Sequence, residues 1–430
     1  MRIDKIYIRN FKNFGDEGIS FALNPHFTVI IGINGRGKST LLHALRIACG
    51  AYFLRIPDAE SKHIEEDEIR REEGKRTLYK WPVIVEAEGF LGETLTWRRQ
   101  IPLHKKKTTV NQEDVGKIRD IGEAQYKLIQ QSQDALVDLP VITFWGTSRL
   151  SGAGQNRLKT VPRIGREIFK EGYSNWKEMK SLTFQYSRWL ASYDILLKNG
   201  KEYVGTKEAF FEAIKIANPY IEAVEFEANE LWLKLNLDGV SQDYLPLSFH
   251  SDGINSFTGM VAELAFRCIV LNAHYGAEAV KKSKGVVMID ELDLHLHPNW
   301  QRHVVHDLKK AFPNLQFVAT THSPFIVQSL HSDELINLDE PADVVPYKCG
   351  LEEVAESIMH VEMAQRSLPF QQMLQTAEDY FGLLQQAETT ENGAKREELK
   401  QQLDELLEPF YHDATFVAAL KLERLAKLGQ

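Results

Sequence analysis

Cysteine is scarce in this 430-residue chain: Cys49, Cys268 and Cys349 stand far apart, and no CxxC pair occurs. That excludes a disulfide framework and a zinc knuckle, and it suits a reducing compartment. No uninterrupted apolar run approaches the length of a membrane span, and the first residues, MRIDKIYIRNF, contain no apolar signal core. The expected location is therefore cytoplasmic, with no membrane partner. An excess of positive charge is missing too. The 51 Lys and Arg stand against 60 Asp and Glu, a formal net charge of −9. A uniformly basic nucleic-acid coat is excluded, whereas one basic groove or a basic partner is not. Tandem repeats, low-complexity tracts and the long heptad run of a coiled-coil arm are also absent from the sequence.

What is present reads as an α/β protein large enough for two or three folding units. Lys5–Phe11 alternates as a strand, and Phe27–Ile31 (FTVII) is a continuous apolar run of the kind buried on both faces of a sheet. Leu41, Leu42, Leu45 and Ala48 then recur at helical spacing. Residues 58–76 are densely charged and are expected to form a solvated helix or mobile insertion. Trp81–Phe90 and Glu93–Ile101 predict a hairpin around Gly89 and Gly92, followed by an exposed basic loop, HKKK, at 104–107. Leu139–Trp145, two strands within Val224–Leu237, a long helix from Gly253 to about His274, and strands at Val286–Ile289 and Gln316–Thr320 complete the core. Seven aromatics fall within Phe169–Tyr193; such spacing marks core packing, with a base-stacking surface as the alternative. The expected organisation is an N-terminal lobe (1–150), a helical insertion (151–220), a C-terminal lobe (221–345) and a helical tail (346–430).

Residues 32–39, GINGRGKS, match G-x-x-x-x-G-K-[ST] between a buried strand and an amphipathic helix. Gly32, Gly35 and Gly37 let the backbone approach closely enough for its N–H groups to face phosphate oxygens, and the helix start adds partial positive charge. Lys38 reaches the outer phosphates and the Ser39 hydroxyl binds Mg²⁺. The ATP-binding set on this side is Gly32, Asn34, Gly35, Gly37, Lys38, Ser39 and Thr40. Such a loop needs an acid at the end of another buried strand to complete the Mg²⁺ shell, and Val286–Ile289 delivers Asp290. Glu291 follows directly, placed to orient or deprotonate an attacking water. His295 and His297 lie beyond, in a turn closed by Pro298, where a helix start and an HxH metal pair are both open readings.

Taken together, GINGRGKST, DELDLHLHPNWQ and QFVATTHSP resemble the ABC-type ATPases of the RecF/SMC/OLD kind. The resemblance covers roughly 1–50, 81–150 and 220–340, and within that class it points to the group containing the ATPase subunit of Septu anti-phage systems. It implies an ABC-type P-loop head, a mixed sheet with an N-terminal antiparallel hairpin, carrying a helical insertion and tail. It assigns Asp290 as the Walker B aspartate, Glu291 as general base, 293–298 as the loop that crosses to a second subunit, and His322 as the switch histidine; the catalytic set is then Glu291, His322 and Lys38. LPLSFHSDGINSF (245–257) resembles the signature, so Ser251 and Gly253 would meet ATP in trans, although His250 stands where the family has leucine. Ser251 or Asp252 acting simply as a helix cap is compatible with this. The glutamine the family places after a core strand is missing from GTSRLSGAGQ, leaving Arg149 or Gln155 as replacements, and Arg9–Lys12 (RNFK) resembles the segment flanking adenine.

The function this implies is an ATP- and Mg²⁺-dependent ATPase that acts as a homodimer or higher oligomer. No nuclease pattern follows the core, so the group resemblance implies a separate HNH-type nuclease partner in defence. A stand-alone RecF-like repair ATPase, with DNA contacting HKKK, Arg157 and Lys159, and a non-hydrolysing ATP sensor are the alternatives. Leu399, Leu403, Leu406 and Leu407 share one side of the tail, either to dock a partner or to pack on the protein itself.

Overall fold

The computed structural model describes residues 1–430 except 73–77, 104, 106, 133–135, 148–166, 180–183, 238, 340–344, 362–363, 365, 385–389 and 411–430. HKKK in part, Arg149, Gln155, Arg157, Lys159 and the last twenty residues of the tail lie outside the described residues. The chain forms two compact units, Met1–Val354 and Ala355–Gln430.

The first unit begins with strands β1 (Arg2–Arg9), β2 (Ile19–Ala22) and β3 (Phe27–Ile31), then helix α1 (Lys38–Gly50). A short pair, β4 (Arg71–Glu72) and β5 (Leu78–Tyr79), precedes the hairpin β6 (Val83–Leu91) and β7 (Glu93–Ile101), helix α2 (Gln112–Gln131) and strand β8 (Val141–Trp145). Helices α3 (Ile168–Gly172), α4 (Phe184–Lys198) and α5 (Thr206–Ala217) lead into β9 (Ile221–Glu227), β10 (Glu230–Leu237), β11 (Val240–Ser241) and β12 (Leu245–Pro246). The long helix α6 (Asp252–Asn272) and α7 (Ala279–Lys282) are followed by β13 (Gly285–Ile289), α8 (Pro298–Gln301), α9 (Val304–Ala311), β14 (Leu315–Thr320), α10 (Pro324–Gln328), β15 (Leu335–Asn337) and α11 (Leu351–Glu353).

Two sheets carry the core. β2-β1-β6-β7 is antiparallel, its hairpin turning on Gly92 at φ +79. β15-β3-β14-β13-β8 is wholly parallel, and β3, β8, β13 and β14 are apolar runs buried along their full length. Buried Gln316 joins the sheets: its amide donates to the Ile3 carbonyl (2.7 Å) and accepts from the Ile3 N–H (2.8 Å). Because Trp145 pairs with Ile289, Ala319 with Ile289, Thr320 with Ile30 and Asn337 with Ile31, the carboxyl ends of all five parallel strands reach one edge. Ligands of open parallel sheets bind at that edge.

Helix α6 is buried continuously from Phe257 to Asn272. Asp252–Lys282 is apolar and long enough to cross a membrane, but 83% of its apolar window is buried inside the protein. Helices α3–α5 pack on it within the same unit. Six of the seven aromatics between 169 and 193 (Phe169, Tyr173, Trp176, Tyr186, Trp189 and Tyr193) are at most 3% exposed, with Trp189 meeting Phe266 at 5.8 Å; they are core, not a stacking platform. At roughly 1.5–3 kcal/mol per large buried side chain, this cluster is a major stabiliser of the unit.

The charged stretch at 58–76 corrects the expectation of a solvated helix. Among its described residues there is only a 3₁₀ turn, Glu66–Glu68, with β4, and Lys62 and Glu68 are buried and paired at 3.6 Å. In the second unit, α12 (Leu368–Leu384) and α13 (Thr390–Leu407) form a hairpin. Leu403 and Leu407 are buried with Phe370, Met373, Tyr380 and Phe381, and Leu399 and Leu406 pack against that cluster. The leucine side of the tail is thus covered by α12, which answers the open question of what it faces.

Candidate functional site

Each functional side chain sits where a parallel strand ends. β3 runs out into the glycine loop, where Gly32 (φ +149), Gly35 (φ +90) and Gly37 (φ +108) adopt conformations that side chains resist. Gly37 also gives passage to Phe14, whose ring would lie 3.3 Å from a Cβ there. Helix α1 starts at Lys38, whose ammonium turns back to donate to the carbonyls of Gly32 (2.7 Å) and Ile33 (3.4 Å). Burial holds the Lys38 pKa below the ordinary lysine value, while Asp339, Asp290 and Glu291 pull the other way.

The ends of β13 and β14 are laced together. Thr320 Oγ1 donates to Asp290 Oδ1 (2.6 Å) and accepts from the Glu291 N–H (2.8 Å), so one buried hydroxyl holds both acids. The Ser39 hydroxyl donates to the same Asp290 oxygen at 3.1 Å. Thr321 Oγ1 donates to Asp293 Oδ1 (2.6 Å), which also accepts from the His322 N–H (3.3 Å). Ser323 Oγ donates to Gln301 Oε1 (2.6 Å), and Gln301 Nε2 donates to the Leu296 carbonyl (2.8 Å). Glu291 is held at φ +52, a left-handed conformation that costs a non-glycine residue about 1–3 kcal/mol and is characteristic of active sites.

These elements line one cavity of about 230 Å³: Asn13, Asn34, Gly35, Gly37, Lys38, Ser39, Thr40, Asp290, Glu291, Thr320 and His322. Sites that engulf a whole ligand run to roughly 300–1,000 Å³. This one is sized for the polyphosphate end of a nucleotide. Gly32 serves it from behind through its carbonyl. Ser251 and Gly253 do not line it; they begin α6, where the Ser251 side chain makes no cap hydrogen bond. Gly253 instead packs on the loop after β13: a Cβ there would lie 2.2 Å from the His295 carbonyl oxygen, and His295 itself is at φ +62.

Sequence reading missed two lining residues. Asn13 donates from Nδ2 to the Gly35 carbonyl and follows directly on RNFK, whose own residues do not line the cavity; Arg9 is paired with Asp16 and Lys12 with His43 and Glu68. Thr320 is the first residue of TTHSP, overlooked beside the histidine. His297 accepts from the Asn299 N–H (3.3 Å) and caps α8, and among the described residues no group of three or more His, Cys, Asp or Glu could hold a metal by itself. The Mg²⁺ fit is of another kind: the Ser39 hydroxyl and Asp290 carboxylate converge on the cavity, as a cation shared with phosphate requires.

A glycine loop between a buried strand and a helix, with an adjacent Asp–Glu pair and a histidine at the ends of two neighbouring parallel strands, defines a P-loop ATPase of the RecF/SMC/OLD type. A family model described as an AAA domain matches residues 5–231, more than half the chain, and the chain belongs to that family; a second AAA-domain model matches 244–328. The protein named "Retron Ec83 probable ATPase" from Escherichia coli is 23% identical over 78% of this chain and 71% of its own length. "Septu protein PtuA" from Bacillus mycoides is 24% identical over 79% of this chain, which spans only 40% of that relative. A solved SMC head bound to the C-winged helix domain of ScpA covers 78% of this chain and 94% of its own, at 15% identity and a TM-score of 0.46.

Proposed function

We propose that this chain is a cytoplasmic, Mg²⁺-dependent ATPase that works as a dimer of two heads and controls a separate HNH-type nuclease in anti-phage defence. The observation that carries the reading is the single cavity on which Lys38, Ser39, Asp290, Glu291 and His322 converge. Ser39 and Asp290 would hold Mg²⁺, which when bound offsets the charge of the outer phosphates. Lys38 adds its ammonium to those phosphates, and the loop N–H groups fix their orientation. The Glu291 carboxylate takes the proton from a water aimed at the terminal phosphorus, and its backbone is set for that by the Thr320 hydroxyl. His322, exposed at the cavity edge, donates to the charge that grows on the departing phosphate.

The dimer is supported by what the cavity lacks. Its volume encloses only part of a nucleotide, and the exposed Ser251 opens a 21-residue helix whose first N–H groups suit phosphate. A second copy presenting Ser251 and Gly253 would close the site. The defence role is supported by the kinship with proteins named for Septu and retrons.

Two measurements test the reading. Glu291→Gln retains ATP but slows phosphate release by roughly 10²–10⁴-fold, and it accumulates as an ATP-bound dimer; equal turnover by wild type and variant would sink the assignment of Glu291 as general base. A tagged pull-down from the native host recovers a stoichiometric small nuclease. Recovery of duplex DNA with no protein partner would instead favour a stand-alone repair ATPase.

A further inference from the structure

The phosphate cradle is fastened from a direction that the nucleotide motifs leave unexplained. β15 ends at Asn337, and the next two residues turn onto the glycine loop. The Leu338 N–H donates to the Ile31 carbonyl (3.0 Å). The Asp339 carboxylate accepts from the Ile33 backbone N–H (2.7 Å) and from Arg36 Nε (2.8 Å). Its own N–H is tied to Asn337 Oδ1 (3.0 Å). The Asp339 side chain is 8% exposed and that of Arg36 55%. Leu338 and Asp339 also close over Gly32, where a Cβ would lie 3.2 Å from Leu338 Cβ and 3.5 Å from Asp339 Oδ2.

A carboxylate has the wrong sign for a loop that grips a polyanion, so its place there calls for a reason. Arg36 supplies one. Its neighbours Asn34, Gly35, Gly37 and Lys38 all line the cavity, and Arg36 does not. The guanidinium is drawn back along the outside of the loop, where Asp339 holds it.

We propose that Asp339 is a positioning residue that sets how tightly the loop grips a polyphosphate, by pinning Ile33 and by keeping the Arg36 guanidinium out of the cavity. The inference rests on the reading of this cavity as a nucleotide site. Asp339 is also the foremost of the charges that oppose the effect of burial on Lys38, while it limits the total positive charge offered to phosphate. The grip is thereby governed from the edge strand β15 rather than from the nucleotide motifs alone.

The test is nucleotide titration of the full chain by calorimetry, with wild type and Lys38→Ala measured alongside. Asp339→Asn keeps an acceptor for the Ile33 N–H but releases Arg36, so ATP and ADP bind roughly threefold to tenfold tighter. Adding Arg36→Ala to that variant returns the affinity to the wild-type level or below. A simple brace predicts the opposite: weaker binding in Asp339→Asn, a lower melting temperature, and no reversal by Arg36→Ala. Arg36→Ala alone is too exposed to endanger folding. It leaves the carboxylate without its counter-charge and weakens ATP roughly threefold, and an unchanged or improved affinity there overturns the proposal even should Asp339→Asn fail to fold. If wild type itself binds no ATP, the nucleotide reading falls and takes this inference with it. If wild type binds and Lys38→Ala does not, yet Asp339→Asn leaves affinity unchanged, only this inference falls.

Discussion

The loops that follow β13 and β14 are bonded to one another residue by residue, whereas the segment that leads into α6 is tied back through β12 on β10 and the Ser248 N–H on Glu230 (2.7 Å) and leaves its tip turned outward. Thr320 and Thr321 take up Asp290, the Glu291 N–H and Asp293. At the other segment, Phe249 is 78% exposed, Ser251 is exposed and its hydroxyl makes no cap bond. On the proposed reading the first is the catalytic half, and dipoles already fixed need no reorganisation when charge moves. A half left open keeps its donors for whatever arrives. On that same reading, the difference separates what one chain would do, hold a nucleotide, from what would need a second surface.

The sharpest break in that comparison is Lys38→Ala. Among the described residues lining the cavity, Lys38 alone is a lysine or arginine, and its loss should weaken ATP by about 100-fold or more in calorimetry. Ser251→Ala, in the open half, should leave single-chain ATP affinity within about twofold. Its effect falls on turnover: wild-type hydrolysis per head rises with protein concentration, and the variant's stays low and flat, roughly tenfold down. A Ser251→Ala enzyme with normal, concentration-dependent turnover would erase the distinction between the halves. Thr320→Val removes one hydroxyl from two acids, and kcat should drop about tenfold with KM little changed; Thr320→Ser restores it. If serine and valine behave alike, the lacing is incidental.

The smallest effect concerns the helix behind the cradle. Burial, with Arg46 and Lys12 beside it, pushes His43 down to about 3, and Lys12 donates to its Nδ1 (3.0 Å). The unfolded chain takes up that proton near 6.5 and the folded chain does not, so this part of the stability is intact above 6.5 and is lost as pH falls toward 3. His43→Gln should flatten the fall in melting temperature over that window; an unaltered slope would remove His43 from the account.

The motif residues were legible because each lies in a contiguous run whose flanks announce a buried strand. FTVII, VVMI and QFVAT are apolar throughout, and a strand buried on both faces needs that. Asn13, Thr320 and Asp339 were not legible in the same way. Their roles are set by which strand ends lie side by side, and Asp339 meets Ile33 across 306 positions of sequence. The charged stretch at 58–76 misled for a related reason: Lys62 and Glu68 look solvated singly, and become interior only as a pair, beside Arg99. On the tail, helical periodicity showed that the leucines at 399–407 share a face. It could not show that α12 covers it.

Gly253 and His295 touch backbone to backbone, with no side chain between them to bend or rotate. Two stones laid without mortar fit in this way: neither face can be thickened unless the other gives ground. The first turn of α6 and the loop that carries Glu291 therefore share one contact surface, and a single added methyl at 253 would have to push that loop aside.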